Sequence, residues 1–152
     1  MNQTENLSLP QWEADDRIMR TDFNDAMANI DAGVRAANDA AAAAPKIAAG
    51  SYTGDGSAER KIPLDFTPKV VFVCPMRAHR YYSAGVTTSL YGGLATPEAP
   101  VRLDGHDGTV NPVLAVTANG FKVYYRNLMV SSNYYVAASN NNNTVYQYLA
   151  IG

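Results

Sequence analysis

A chain of 152 residues that is 47% hydrophobic and carries a formal net charge of −2 is too apolar and too weakly charged for a disordered polymer. Its single cysteine, Cys74, excludes an intrachain disulfide framework and a cysteine-rich zinc site. The charge gives no electrostatic basis for binding nucleic acid or a membrane surface. No run approaches the roughly 18 apolar residues of a membrane span, and MNQTENLSLPQW has neither the basic start nor the apolar core of a secretory signal.

The first 20 residues form a polar segment in which Leu9-Pro10 opens the stretch QWEADDRIM, with Trp12, Ile18 and Met19 as its apolar members. These residues stay out of register with the pattern that follows, so they read as a separate short element. Trp12 either anchors a partner or folds back over the start of the next element.

From Thr21 to Ala44 the chain has no proline and is rich in alanine, which predicts a helix with Thr21 as N-cap, Asp22 in the first turn and Pro45 as its stop. Phe23, Met27, Ile30, Val34, Ala37, Ala41 and Ala44 recur at alternating spacings of four and three, a heptad seam with polar residues on the other faces. A narrow stripe of this kind needs cover. Either it packs on the chain's own β domain or it joins copies of the chain, and the alanine-rich seam does not separate a dimer from a trimer.

Composition changes near Pro45. Residues 1–50 hold eight acidic and four basic side chains, a net of −4, whereas residues 51–152 hold six and eight, a net of +2, and all ten tyrosines lie at or beyond Tyr52. Short strands are expected over Ala48 to Thr53, Arg60 to Leu64, Lys69 to Pro75, Val113 to Thr117, Phe121 to Arg126, Tyr134 to Ala138 and Thr144 to Ile151. Asn119-Gly120 marks a hairpin. About seven strands in ~100 residues match a small antiparallel sandwich, with its terminal strand inside or against a neighbouring subunit. Arg77 to Leu90 and Tyr91 to Pro112 read as exposed loops.

The residues point away from an enzyme. Cys74 and His79 are close in sequence, but Cys74 ends an apolar strand and reads as an inert buried thiol. Asp104-Gly105-His106-Asp107-Gly108 lacks the spacing of a calcium or zinc loop and reads as a solvated turn; His79 or His106 could ligate a metal only by repetition around a symmetry axis. No phosphate loop, nucleophile elbow or carboxylate pair is present, and no cofactor is expected. The remaining signal is tyrosine and amide enrichment. Arg80, Tyr81, Tyr82, Tyr91, Tyr134, Tyr135 and Asn141 supply aromatic faces beside hydrogen-bonding groups, the mixture that adaptable binding loops use.

Asp22-Phe23-Asn24 followed by Ile30-Asp31, after Leu9-Pro10 and Asp15-Asp16, together with Gly120-Phe121 and the ending Tyr146-x-Tyr148-Leu149-Ala150-Ile151-Gly152, resembles short tail-fibre proteins of phages and prophages. The resemblance implies attachment to baseplate or tail proteins through residues 1–20, with Trp12 as the attachment residue. It also implies trimerisation along residues 21–45 and a receptor-binding tip over residues 46–152. The expected fold class is α+β: an N-terminal helical coiled-coil stalk and an antiparallel β-sandwich tip, as a homotrimer. The expected function is adsorption of a phage, or of a phage-tail-like particle, to a host surface glycan or protein. The chain is then made in the host cytoplasm without a signal peptide and sits on the virion tail, without nucleic-acid or membrane insertion partners. The alternative is a purely structural baseplate or tail-tip component.

Overall fold

Proline at position 45 closes the helical part of the chain and the first strand of the β part starts two residues later, so the chain divides into Met1–Ala44 and Pro45–Gly152. A computed structural model describes residues 2–77 and 81–152.

In the first unit, β1 (Asn2–Gln3) pairs antiparallel with β2 (Pro10–Gln11), and the Thr4 side-chain oxygen accepts from the Leu9 N–H at 3.0 Å. The helix α1 spans Arg20–Ala43. Its N-cap is Met19 rather than Thr21, because the Asp22 carboxylate accepts from the Met19 N–H at 3.1 Å and moves the start upstream. Ala26 is buried, and a side chain at Gly33 would meet the Leu7 Cδ2 at 2.4 Å, so the N-terminal segment covers the face that runs through these two positions. The heptad stripe therefore divides: Ile30 is half-buried, whereas Phe23, Met27, Val34, Ala37, Ala41 and Ala44 stay exposed.

In the second unit the strands are β3 (Ile47–Thr53), β4 (Glu59–Pro63), β5 (Val70–Pro75), β6 (Tyr81–Ala84), β7 (Thr87–Leu90), β8 (Gly93–Ala95), β9 (Val101–Arg102), β10 (Pro112–Thr117), β11 (Gly120–Val130), β12 (Asn133–Ala138) and β13 (Val145–Ile151). Among the described residues they form a sheet of order β3-β13-β5-β8 and a larger one of order β6-β7-β12-β11-β10-β9, with β4 also on β11. The first half of β11 pairs with β10 and β4, the second half with β12, and β12 runs parallel to β7. The tight β10–β11 turn needs glycine at 120, where φ is +142° and a Cβ would lie 2.2 Å from the Ile62 carbonyl oxygen.

The expected fold class is thereby corrected. The described chain is mostly β, 44% strand in a curled mixed sheet, with one helix making up 16%, and it contains no long coiled-coil stalk. Two physical reasons account for this. The helix ends after 24 residues and gives part of its apolar surface to its own N-terminal segment. The stretches expected as loops, Arg77 to Leu90 and Tyr91 to Pro112, instead supply β6 to β9, and one of these makes the parallel pairing. The β-rich character is the part of the expectation that agrees.

The core lies between the two sheets. Tyr52 stacks on Tyr146 at 5.0 Å, and Phe121, fully buried, packs edge-on against Tyr148 at 5.2 Å and Tyr52 at 6.3 Å. The Tyr52 hydroxyl donates to the Ser139 carbonyl at 2.6 Å and the Tyr146 hydroxyl to that of Ala138; burial pushes the Tyr146 phenol up to about 12 and that of Tyr52 higher still. The outward face of the four-stranded sheet carries Ile47, Ala49, Ser51 and Thr53 from β3, Val145, Gln147, Leu149 and Ile151 from β13, Val70, Phe72 and Cys74 from β5, and Leu94 from β8. None of these side chains is charged.

The turn after β3 is locked to the turn after β12. The buried Asn140 amide donates to the Asp55 carboxylate at 2.7 Å and to the Ser57 carbonyl at 3.0 Å, and its oxygen accepts from the Asp55 N–H at 3.3 Å. Hydrogen bonds from the Ser57 hydroxyl and N–H, then from Asn140, hold the Asp55 carboxyl at about 2, below its ordinary 3.8. A carboxyl lowered by folding adds stability above its unfolded value and loses it as pH falls through the folded one. Urea midpoints are therefore expected to drop between about pH 4 and about pH 2. Asp55→Asn is expected to flatten that drop, and an unchanged slope in this variant would show that other carboxylates carry it.

Candidate functional site

Tyr81 and Tyr82 lie on β6, an edge strand, and Tyr134 and Tyr135 on β12, so each tyrosine pair is split between the two faces of the sheet. Gly85, with φ +58°, turns the chain between β6 and β7. Cross-strand register then fixes which residues share a face. Ser83 pairs with Thr88, Thr88 with Tyr135 and Tyr135 with Leu128, forming one row across four strands; Tyr81 stands two residues along β6 on the same face. Tyr82, Ser89, Val136 and Asn127 form the next row, on the opposite face, joined there by Tyr134 and Met129.

The first of these faces combines aromatic and hydrogen-bonding groups. Tyr81 is 57% exposed, the Ser83 and Thr88 hydroxyls are 3.3 Å apart, and the exposed His106 places its Nδ1 3.1 Å from the Tyr135 hydroxyl. His106 is held there by the loop between β9 and β10. The Asp104 carboxylate accepts from the Asn111 N–H at 3.2 Å, the Asn111 amide donates to the Tyr135 carbonyl at 3.0 Å, and the Asp107 carboxylate accepts from the Thr109 N–H at 3.0 Å. That last bond, before the positive field of His106, holds the Asp107 carboxyl below its ordinary value. The sheet spacing, two strand intervals across and two residues along, puts Tyr81 and Tyr135 roughly 12 Å apart, the scale of a ligand with two rings.

The other candidates fall elsewhere. Tyr91 is half-buried against the main core, and Asn141 spends its amide on the Thr144 hydroxyl at 3.1 Å within the β12–β13 turn. Arg80 and His79 lie outside the described residues. Trp12, 37% exposed, follows β2 in the first unit. Cys74 is only partly buried, on the outward face of its sheet, where its sulfur accepts from the Gln147 amide at 3.3 Å. Ser83, Thr88, Asn127 and Met129 went unnoticed in the sequence. Tyr81 to Ala84 shows no apolar-polar alternation and all four side chains are exposed, so no local signal marks β6 as a strand.

Among the described residues no group of three or more His, Cys, Asp or Glu side chains could hold a metal ion, and no helix is long and apolar enough to cross a membrane. What the face offers chemically is stacking on Tyr81 and hydrogen bonding at Ser83, Thr88, Tyr135 and His106. No protein-family model, curated protein or solved structure matches the chain.

Proposed function

We propose that the chain is a non-enzymatic receptor-binding protein of the short tail-fibre kind, borne on a phage or phage-tail-like particle as a homo-oligomer, with a trimer favoured. It attaches to the particle through its N-terminal segment and to a host surface glycan or protein through the β unit. The observation that carries this reading is the row Ser83, Thr88, Tyr135 with His106 at its end and exposed Tyr81 beside it. Sugar rings present apolar C–H faces flanked by hydroxyls, which suit a tyrosine face flanked by hydroxyl and imidazole groups. Individually weak sites gain strength when several copies engage one surface.

The test is binding of the purified full chain to an array of bacterial surface polysaccharides and to intact cells. Truncating Tyr81, His106 and Tyr135 together to alanine is expected to weaken binding by roughly 100-fold, as aromatic anchors at the centre of a site do. Tyr82→Ala with Tyr134→Ala, on the opposite face, is expected to change it by less than about threefold. Equal losses from both variants would place recognition elsewhere, and new reducing ends appearing in the bound polysaccharide would overturn the non-enzymatic reading.

A further inference from the structure

The outward face of the sheet β3-β13-β5-β8 is an unusual solvent surface. Sheets with one wet side alternate apolar-in and polar-out, yet here apolar residues occupy both sides. Ile47 is 66% exposed and Leu94 60%, with Leu149 and Val145 between them also exposed. The exposed aliphatics amount to an apolar surface of a few hundred Å², the size of the largest patch on a typical monomer, which is often functional.

We infer that this face binds the same face of a second copy of the chain. Three features select that occupant. The face contains no charged position, so two copies meet without bringing like charges together and without stranding a charge in an apolar contact. It also carries its own knob and its own hole. A depression of about 430 Å³, lined by Ala49, Phe72, Cys74, Gln147 and Leu149, lies at its centre, and Leu94 projects from an edge strand at its rim. A two-fold arrangement lets each Leu94 enter the partner's depression, the self-complementarity an isologous contact requires. Finally, Ala49, Ser51, Thr53 and Gln147, also exposed on this face, extend the patch toward the roughly 800 Å² per partner of a standard stable interface. This contact is separate from the stripe on α1 and does not rest on the proposed receptor role.

Cys74 supplies a probe already in place. In the whole chain, alkylation of Cys74 by iodoacetamide is followed from about 10 nM to about 100 µM, beside sedimentation velocity over the same range, which spans nanomolar to micromolar affinities. The expected result is self-association with a labelling rate that falls as concentration rises. Leu149→Lys with Leu94→Lys is expected to move both curves to at least roughly tenfold higher concentration, since it sets a buried charge against its symmetry mate. Three outcomes overturn the inference: a chain monomeric throughout with fast labelling; association that leaves Cys74 fully reactive; or slow labelling of a chain that sediments as a monomer, which would mean cover from within the chain. If the lysine variant does not fold, the labelling series on the unaltered protein decides alone.

Discussion

Replacing Asn140 with alanine is expected to destabilise the β unit by about 2–4 kcal/mol, large against a usual total of about 5–15. The side chain is fully buried and bridges two turns that are far apart in sequence. Its removal takes the donor from the Asp55 carboxylate and from the Ser57 carbonyl and hydroxyl, and the acceptor from the Asp55 N–H. Backbone bonds from Asn140 N–H to the Tyr124 carbonyl and from Gly56 N–H to the Asn140 carbonyl survive the truncation, so the loss stays local. Urea unfolding with an unchanged denaturant slope checks it. A loss below about 1 kcal/mol would mean that water replaces the amide at little cost.

Phe121→Ala is expected to cost more, about 3–5 kcal/mol, through lost burial and the cavity left behind. Phe121 has no exposed surface and stands at the meeting of the sheets: it pairs with Val116 on β10 and with Ile62 on β4, and its ring touches Tyr52 and Tyr148 of the opposite sheet. Neighbouring strands hold these rings in place, so the core has limited freedom to collapse into the gap. Phe121→Leu, which keeps most of the volume, is expected to cost less than about 1.5 kcal/mol. Thermal unfolding followed by circular dichroism compares the two. Similar losses in both would mean that ring geometry, rather than filled volume, is what Phe121 contributes.

Local patterns in the sequence carried much of the secondary structure and less of the site. Alanine content and Pro45 bracket α1 to within two residues at its start and one at its end, because helix propensity and a proline stop act over a few positions. Asn119-Gly120 places the β10–β11 hairpin for the same reason. By contrast, β6 and β7 pass for loop because they are short, polar and interrupted by Gly85, and gain stability only through the neighbouring β12. Tyr91 and Tyr81 have the same intrinsic preference, and only their neighbours make one a core residue and the other a surface residue.

The division at residue 45, the helix and the main strands are written in composition and short-range periodicity, which a chain obeys before it meets any distant part of itself. The mixed pairing of β7 with β12, the row that joins Ser83 to His106 across 22 intervening positions, the Asn140 lock and the charge-free outer face depend on register between strands far apart in the chain. A slip of one residue in any of those registers turns every side chain to the other face. The choice between core and site is therefore set by cooperative burial of the whole sheet, and no single segment contains it.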